Sequence, residues 1–109
     1  MVVLTVRRDH YGKIFAFKLT GHADSGPHGQ DLVCAAVSAV AFGSVNAVES
    51  LANLKLDVRQ KNDGGYLECG ISDCPADANL EKAQLILEAM LVSMRTIEKS
   101  YGQYIRISD

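Results

Sequence analysis

The sequence carries no tryptophan and no surplus of charge: 11 Lys and Arg stand against 13 Asp and Glu, a formal net charge of −2. Without a basic excess, electrostatics give no reason to expect nucleic acid as a partner. The basic residues are scattered, and the one adjacent pair, Arg7-Arg8, reads as a strand end. A secretory segment is not recognisable, because Arg7-Arg8 ends the apolar run Met1–Val6 too early for a signal core. No run approaches the roughly 18 apolar residues of a membrane span, so no membrane partner is expected. There are only three cysteines, an odd number, which does not suggest a disulfide scaffold. With no export signal, reduced thiols in a cytoplasm are the expectation. Cys-x-x-Cys and His-x-x-x-His are both missing, and Cys34 is far from Cys69 and Cys74, so no metal is expected. Gly-x-x-x-x-Gly-Lys-Ser/Thr is absent too, and the Gly21, Gly26, Gly29 spacing is not a dinucleotide fingerprint. No cofactor is therefore expected.

What remains is ordinary globular composition, 48% hydrophobic and 22% charged, of a length that fits one domain spanning 1–109. Val2 to Arg7 is rich in β-branched residues and reads as a strand. Asp9-His10-Tyr11-Gly12 is turn chemistry, and Ile14 to Leu19 is the returning strand of a hairpin. Gly21 to Gln30 breaks the pattern with three glycines, one proline and two histidines. A loop of that length in a small domain is a common place for function. A helix follows, with Asp31 as its N-cap and apolar positions Val33, Val37, Val40, Ala41, Val45, Val48, Leu51 and Leu54. Because Cys34 to Ala41 is almost free of polar groups, this helix is expected to be buried on most sides. Leu56 to Arg59 and Tyr66 to Ile71 read as a second hairpin around Asn62-Asp63-Gly64-Gly65. Pro75 and Asp77 precede a helix striped by Leu80, Ala83, Ile86, Leu87, Met90, Leu91, Met94, Ile97 and Tyr101, which Gly102 ends. Tyr104 to Ile107 is a last short strand. The order ββαββαβ predicts an α+β fold: two long helices packed on a small, largely antiparallel sheet.

Chemistry concentrates in Gly21-His22-Ala23 and Asp31-Leu32-Val33-Cys34. A nucleophilic cysteine must be a thiolate near neutral pH, against a free pKa of about 8.5. If Asp31 caps the helix, Cys34 sits in the first turn, where backbone N–H groups and the positive dipole end favour a thiolate. A returning loop can bring an imidazole beside it. A cysteine in so apolar a run is also commonly a small buried hydrophobe. Spacing leaves His22 and His28 as rival bases, while His10 reads as a structural turn residue. Asp31 can orient a histidine, although a helix cap is its commoner role. Ser38, one turn past Cys34, can face the site, although a hydroxyl bonded back to the helix is the commoner case.

The same residues, with Gly29, Ala35-Ala36-Val37-Ser38, Gly43-Ser44-Val45-Asn46-Ala47, the Gly64-Gly65 turn, Ala83-Gln84-Leu85-Ile86-Leu87 and Met90-Leu91-Val92-Ser93, resemble the signature of the ribosomal-processing cysteine protease family. The resemblance runs through essentially the whole chain. It implies a cytoplasmic cysteine endopeptidase that removes a short N-terminal extension from a large-subunit ribosomal protein. It implies that His22 and Cys34 are the catalytic pair, with Asp31 at the family's acidic position. A substrate loop containing Gly21, Gly26 and Gly29, an apolar substrate pocket and a homodimer are implied as well. The rival readings are a non-catalytic ribosome-associated peptide-binding module, and a thiol-redox protein pairing Cys34 with Cys69 or Cys74.

Overall fold

The computed structural model describes residues 1–22, 31–61, 65–71 and 76–109. Its elements are β1 (Val2–Arg8), β2 (Ile14–Thr20), α1 (Leu32–Leu51), β3 (Asp57–Gln60), β4 (Tyr66–Gly70), α2 (Asp77–Tyr101) and β5 (Ile105–Ser108). The expected α+β order ββαββαβ is therefore observed. Gly12 takes φ +83° in the first hairpin turn, and the Asp9 carboxylate accepts from the Tyr11 and Lys13 N–H groups. That is the local side-chain bonding that makes Asp and Gly turn residues.

The sheet runs β3-β4-β2-β1-β5. Three of its pairings are antiparallel, while β1 and β5 lie parallel, with Val2 opposite Ile105. Along β2, Phe17 and Leu19 are buried and Lys18 between them is exposed. This period of two puts one sheet face against the helices and leaves the other open. Leu4, Phe17, Leu67, Cys69 and Ile105 from the strands join Val33, Val37, Val48, Leu87, Met90 and Met94 from the helices in one core.

Helix α1 is not buried on most sides. Its buried positions are Val33, Val37, Ala41, Val45 and Val48, a single stripe at helical spacing, while Leu32, Phe42 and Leu51 are exposed. The apolar, small-residue composition of Cys34 to Ala41 extends round the whole helix, but α1 is an outer layer and only one face meets the core. By length and composition α1 is also apolar enough to cross a membrane, with mean hydropathy 1.7. Counting unbroken strongly apolar runs passes over this, because Ser38, Ser44, Asn46 and Glu49 break the run while the valines keep the mean high. Leu54 lies beyond the helix: Ala52 caps it, and Asn53 at φ +51° turns the chain so that Leu54 is buried by a separate route. On α2, Tyr101 is exposed instead of completing the buried stripe, and Gly102 ends the helix in a right-handed conformation.

Two side-chain devices fasten the far side. The Gln84 amide pairs with both backbone groups of Ile14, accepting from its N–H and donating to its carbonyl, each at 2.7 Å. The Arg8 guanidinium forks onto Glu88 and onto Asp109, at 2.8–3.1 Å. These bonds hold both carboxylates below the usual carboxylate range and raise the guanidinium.

Candidate active site

Antiparallel pairing brings the start of β1, the end of β2, the end of β3 and the start of β4 to one end of the sheet. The first turns of α1 lie over that end. Between them opens a cleft of about 350 Å³, lined by Gly21 and His22 after β2, by Cys34, Val37, Ser38 and Phe42 on α1, and by Gln60, Lys61 and Gly65 at the second hairpin. Val2, Leu19 and Leu67 supply apolar surface to the same cleft. Its size and mixed lining suit a ligand site of the usual kind.

Cys34 is half-buried and carries no disulfide. The sequence places it in the first turn because Asp31 is the N-cap: a carboxylate oxygen of Asp31 accepts from the Cys34 N–H at 3.0 Å. Cys34 is therefore at the third helical position, where a side chain stands near the unpaired N–H groups and positive end of the helix. Asp31 closes the turn a second time, its carbonyl accepting from the Ala35 N–H at 3.0 Å. The Cys34 and Ala35 N–H groups are thus engaged by the cap in this conformation.

His22 enters from the opposite wall. The preceding Gly21 takes φ +86° and donates its N–H to the Gly65 carbonyl at 2.9 Å, which ties the end of β2 to the β3–β4 connection. The imidazole lies against the bare Cα of Gly65. Ser38 lines the cleft one turn after Cys34. Among the described residues its hydroxyl has no bond back to the helix, unlike Ser44, whose Oγ donates to the Val40 carbonyl at 2.6 Å. The structure thus brings His22, Cys34, Ser38 and Gly21 to one cleft, with Asp31 capping the helix that carries Cys34. His28, Gly26, Gly29, Cys74, Pro75 and the turn residues 62–64 lie outside the described residues. His10 stacks beside Tyr11 in the hairpin turn, with ring centroids 4.1 Å apart.

Cys69 is a different kind of cysteine. It is 1% exposed in the core, and burial, reinforced by the negative charges of Glu49 and Glu68, pushes its thiol up to about 12. A thiol held protonated in this way is a poor partner for disulfide exchange. Among the described residues no group of three His, Cys, Asp or Glu side chains gathers as a metal site. At the rim, the Tyr66 hydroxyl donates to Glu68, a bond that raises the phenol, and the Lys61 ammonium stands 5.3 Å from the Tyr66 ring centroid. Phe42, Gln60, Lys61 and Gly65 are cleft residues that the sequence reading did not single out. The double glycine after Asp63 was the one local signal, a turn that can accept close approach.

Residues 1–106 match the family described as cysteine protease Prp. The chain is 44% identical to the ribosomal processing cysteine protease Prp of Bacillus subtilis (strain 168), over 99% of this chain and 96% of that protein. It is 40% identical to the protein of that name from Staphylococcus aureus (strain Mu50), over 99% and 98% of the two chains. The fold agrees with a crystal structure of the S. aureus ribosomal processing protease Prp holding a covalently linked product peptide, with TM-score 0.90, 40% identity and 99% and 98% coverage. A second S. aureus structure, with a substrate peptide, gives TM-score 0.83 at 39% identity, with the same coverage. A family match across nearly the whole length, relatives of 40% and 44% identity and a shared fold lead to one conclusion: this chain belongs to the cysteine protease Prp family.

Proposed function

We propose that the chain is a cysteine endopeptidase that removes a short N-terminal extension from a large-subunit ribosomal protein, with Cys34 as nucleophile and His22 as general acid and base. The observation that carries this is the shared cleft, in which a first-turn helix cysteine and a histidine from the end of β2 face the same apolar-floored space. Helix-start cysteines are the ones whose thiolates are stabilised, and a neighbouring imidazole adds to that. The Cys34 sulfur adds to the scissile carbonyl carbon. The carbon–nitrogen bond then breaks as His22 delivers a proton to the leaving amine. Water, giving its proton to His22, hydrolyses the thioester, which releases the new carboxylate and restores the thiol. A relative that holds a covalently linked product peptide fits a route through a protein–peptide bond. The Cys34 and Ala35 N–H groups are engaged by Asp31, so the oxyanion is served by other donors or by a cap that opens on binding. Each such donor is worth roughly 3 kcal/mol.

The partners expected from the sequence remain part of this reading: the ribosomal-protein extension as substrate and a second copy of the chain, with no nucleic acid or membrane, in the cytoplasm. Leu32 on α1, with Leu85 and Val92 on α2, are large exposed apolar groups of the kind a homodimer covers. Sedimentation of the purified chain tests that part. The chemistry is tested by incubating wild type, Cys34→Ala and His22→Ala with the ribosomal protein bearing its extension, and following product by mass. Both variants should lose cleavage by at least a thousandfold. Full cleavage by Cys34→Ala would sink the mechanism. Binding without product at any wild-type concentration would favour a peptide-binding module.

A further inference from the structure

The imidazole of His22 rests on a residue with no side chain. A Cβ built on Gly65 would stand 2.7 Å from His22 Nε2 and 3.3 Å from Cδ2 and Cε1. We infer that Gly65 is a positioning residue for the reaction: its bare Cα is the seat on which the His22 ring stands, and that seat sets where the ring can stand across the cleft from Cys34. The inference rests on the reading of His22 as the general base.

The geometry closes a short circuit. The N–H of Gly21, one residue before His22, donates to the Gly65 carbonyl, so backbone and ring of the same segment are both referred to Gly65. Gly21 is itself constrained, because a Cβ there would meet the Met1 carbonyl oxygen at 2.2 Å. The strand end cannot simply slide away from the hairpin. The atom crowding a new methyl at Gly65 is the tip of a side chain with two rotatable bonds, so the ring yields sooner than the backbone. Moving from 2.7 Å to an ordinary contact near 3.4 Å displaces Nε2 by about 0.7 Å. Misplacement on that scale costs about 10- to 100-fold in rate when the displaced group takes part in the chemistry.

A matched control lies in the same molecule. Gly12 has φ +83° and Gly65 has φ +76°, so alanine meets similar backbone strain at both. A Cβ on Gly12 would touch nothing within 4 Å. The experiment compares full-length Gly65→Ala, Gly12→Ala, His22→Ala and the double variant Gly65→Ala/His22→Ala. It records thermal midpoint, kcat and KM on a synthetic peptide spanning the processing site, and the imidazole NMR signals assigned by loss in His22→Ala. Gly65→Ala should move the His22 signals and lower kcat about 10- to 100-fold with KM little changed. Gly12→Ala should do neither. With the ring removed, alanine at position 65 should cost no more in thermal midpoint than alanine at position 12. If Gly65→Ala alone does not fold, the double variant must. Unmoved His22 signals, a kcat loss no larger than that of Gly12→Ala, or an undiminished cost in the double variant would each overturn the inference. Should His22→Ala cleave normally, the reading of His22 as base fails by itself, and the signals and double variant still decide whether Gly65 seats the ring.

Discussion

Asp31 offers the sharpest separation between holding the site and doing its chemistry. Its carboxylate accepts from the Cys34 N–H at 3.0 Å, and its carbonyl accepts from the Ala35 N–H. In Asp31→Ala the side-chain bond is lost and the carbonyl bond remains, so the helix still starts at the same place. Removing an N-cap of this kind costs about 1 kcal/mol. In a chain of about this size that lowers Tm by roughly 4–8 °C. The same energy shifts the balance between a closed and a frayed first turn by about fivefold, because 1.4 kcal/mol corresponds to tenfold. Cleavage by Asp31→Ala should therefore fall by about fivefold at most, through the position of Cys34. In Asp31→Asn an oxygen acceptor is kept, and asparagine ranks with aspartate at N-caps. Both Tm and kcat/KM should stay near wild type. Differential scanning fluorimetry and initial-rate peptide cleavage, run on all three proteins, decide the matter. If Asp31→Asn keeps its Tm but loses a thousandfold in kcat/KM, the negative charge enters the reaction and the cap account is wrong.

Three further outcomes follow from the structure. Gln84→Ala strands the N–H and carbonyl of Ile14, a fully buried residue, and should destabilise by about 2–4 kcal/mol; an unchanged urea midpoint would contradict this. In the folded protein iodoacetamide should modify Cys34 between pH 7 and 9 and spare Cys69, whose thiol is buried and pushed up to about 12. Peptide mapping that finds equal labelling at Cys69 would deny that burial. Glu88 and Asp109 bind protons less readily when folded than unfolded, so their contribution is complete above the ordinary carboxylate range and is lost as pH falls below it, through the lowered folded-state values. Both are partly exposed, so the effect is about 1 kcal/mol or less. Arg8→Met should flatten the loss of Tm between pH 5 and 2.5, and an unaltered pH profile would count against the network.

Local chemistry was legible where it is local. Asp9 and Gly12 mark a turn, Asp31 marks a helix start, and the spacing from Leu80 to Met94 marks one helix face, because each signal acts within a few residues. Cys34 at the head of α1 was legible for the same reason, whereas only the family resemblance separated His22 from His28. The single-sided burial of α1 was not, since alanine and glycine fit an outer layer as readily as an inner one. Strand order was also out of reach: nothing in β2 announces that it lies between β1 and β4. The cleft needs that order, because Gln60, Lys61 and Gly65 meet His22 only once β4 has paired with β2. Gly65 looked like turn punctuation, and its contact with the imidazole is a property of tertiary convergence alone.

The parallel pairing of β1 with β5 sets a kinetic order. Val2 lies opposite Ile105, 103 positions later, whereas β1 and β2 join through a short turn. Closing so long a loop is entropically costly before any contact rewards it, so the β1–β2 hairpin can form early and the β5 seam late. Trimming Ile105 to Val should then speed unfolding and leave the refolding rate almost unchanged. A refolding rate that falls in step with stability would place the seam in the transition state instead. Val2 belongs both to this late seam and to the cleft wall. Peptidase activity should therefore be among the last properties the refolding chain acquires.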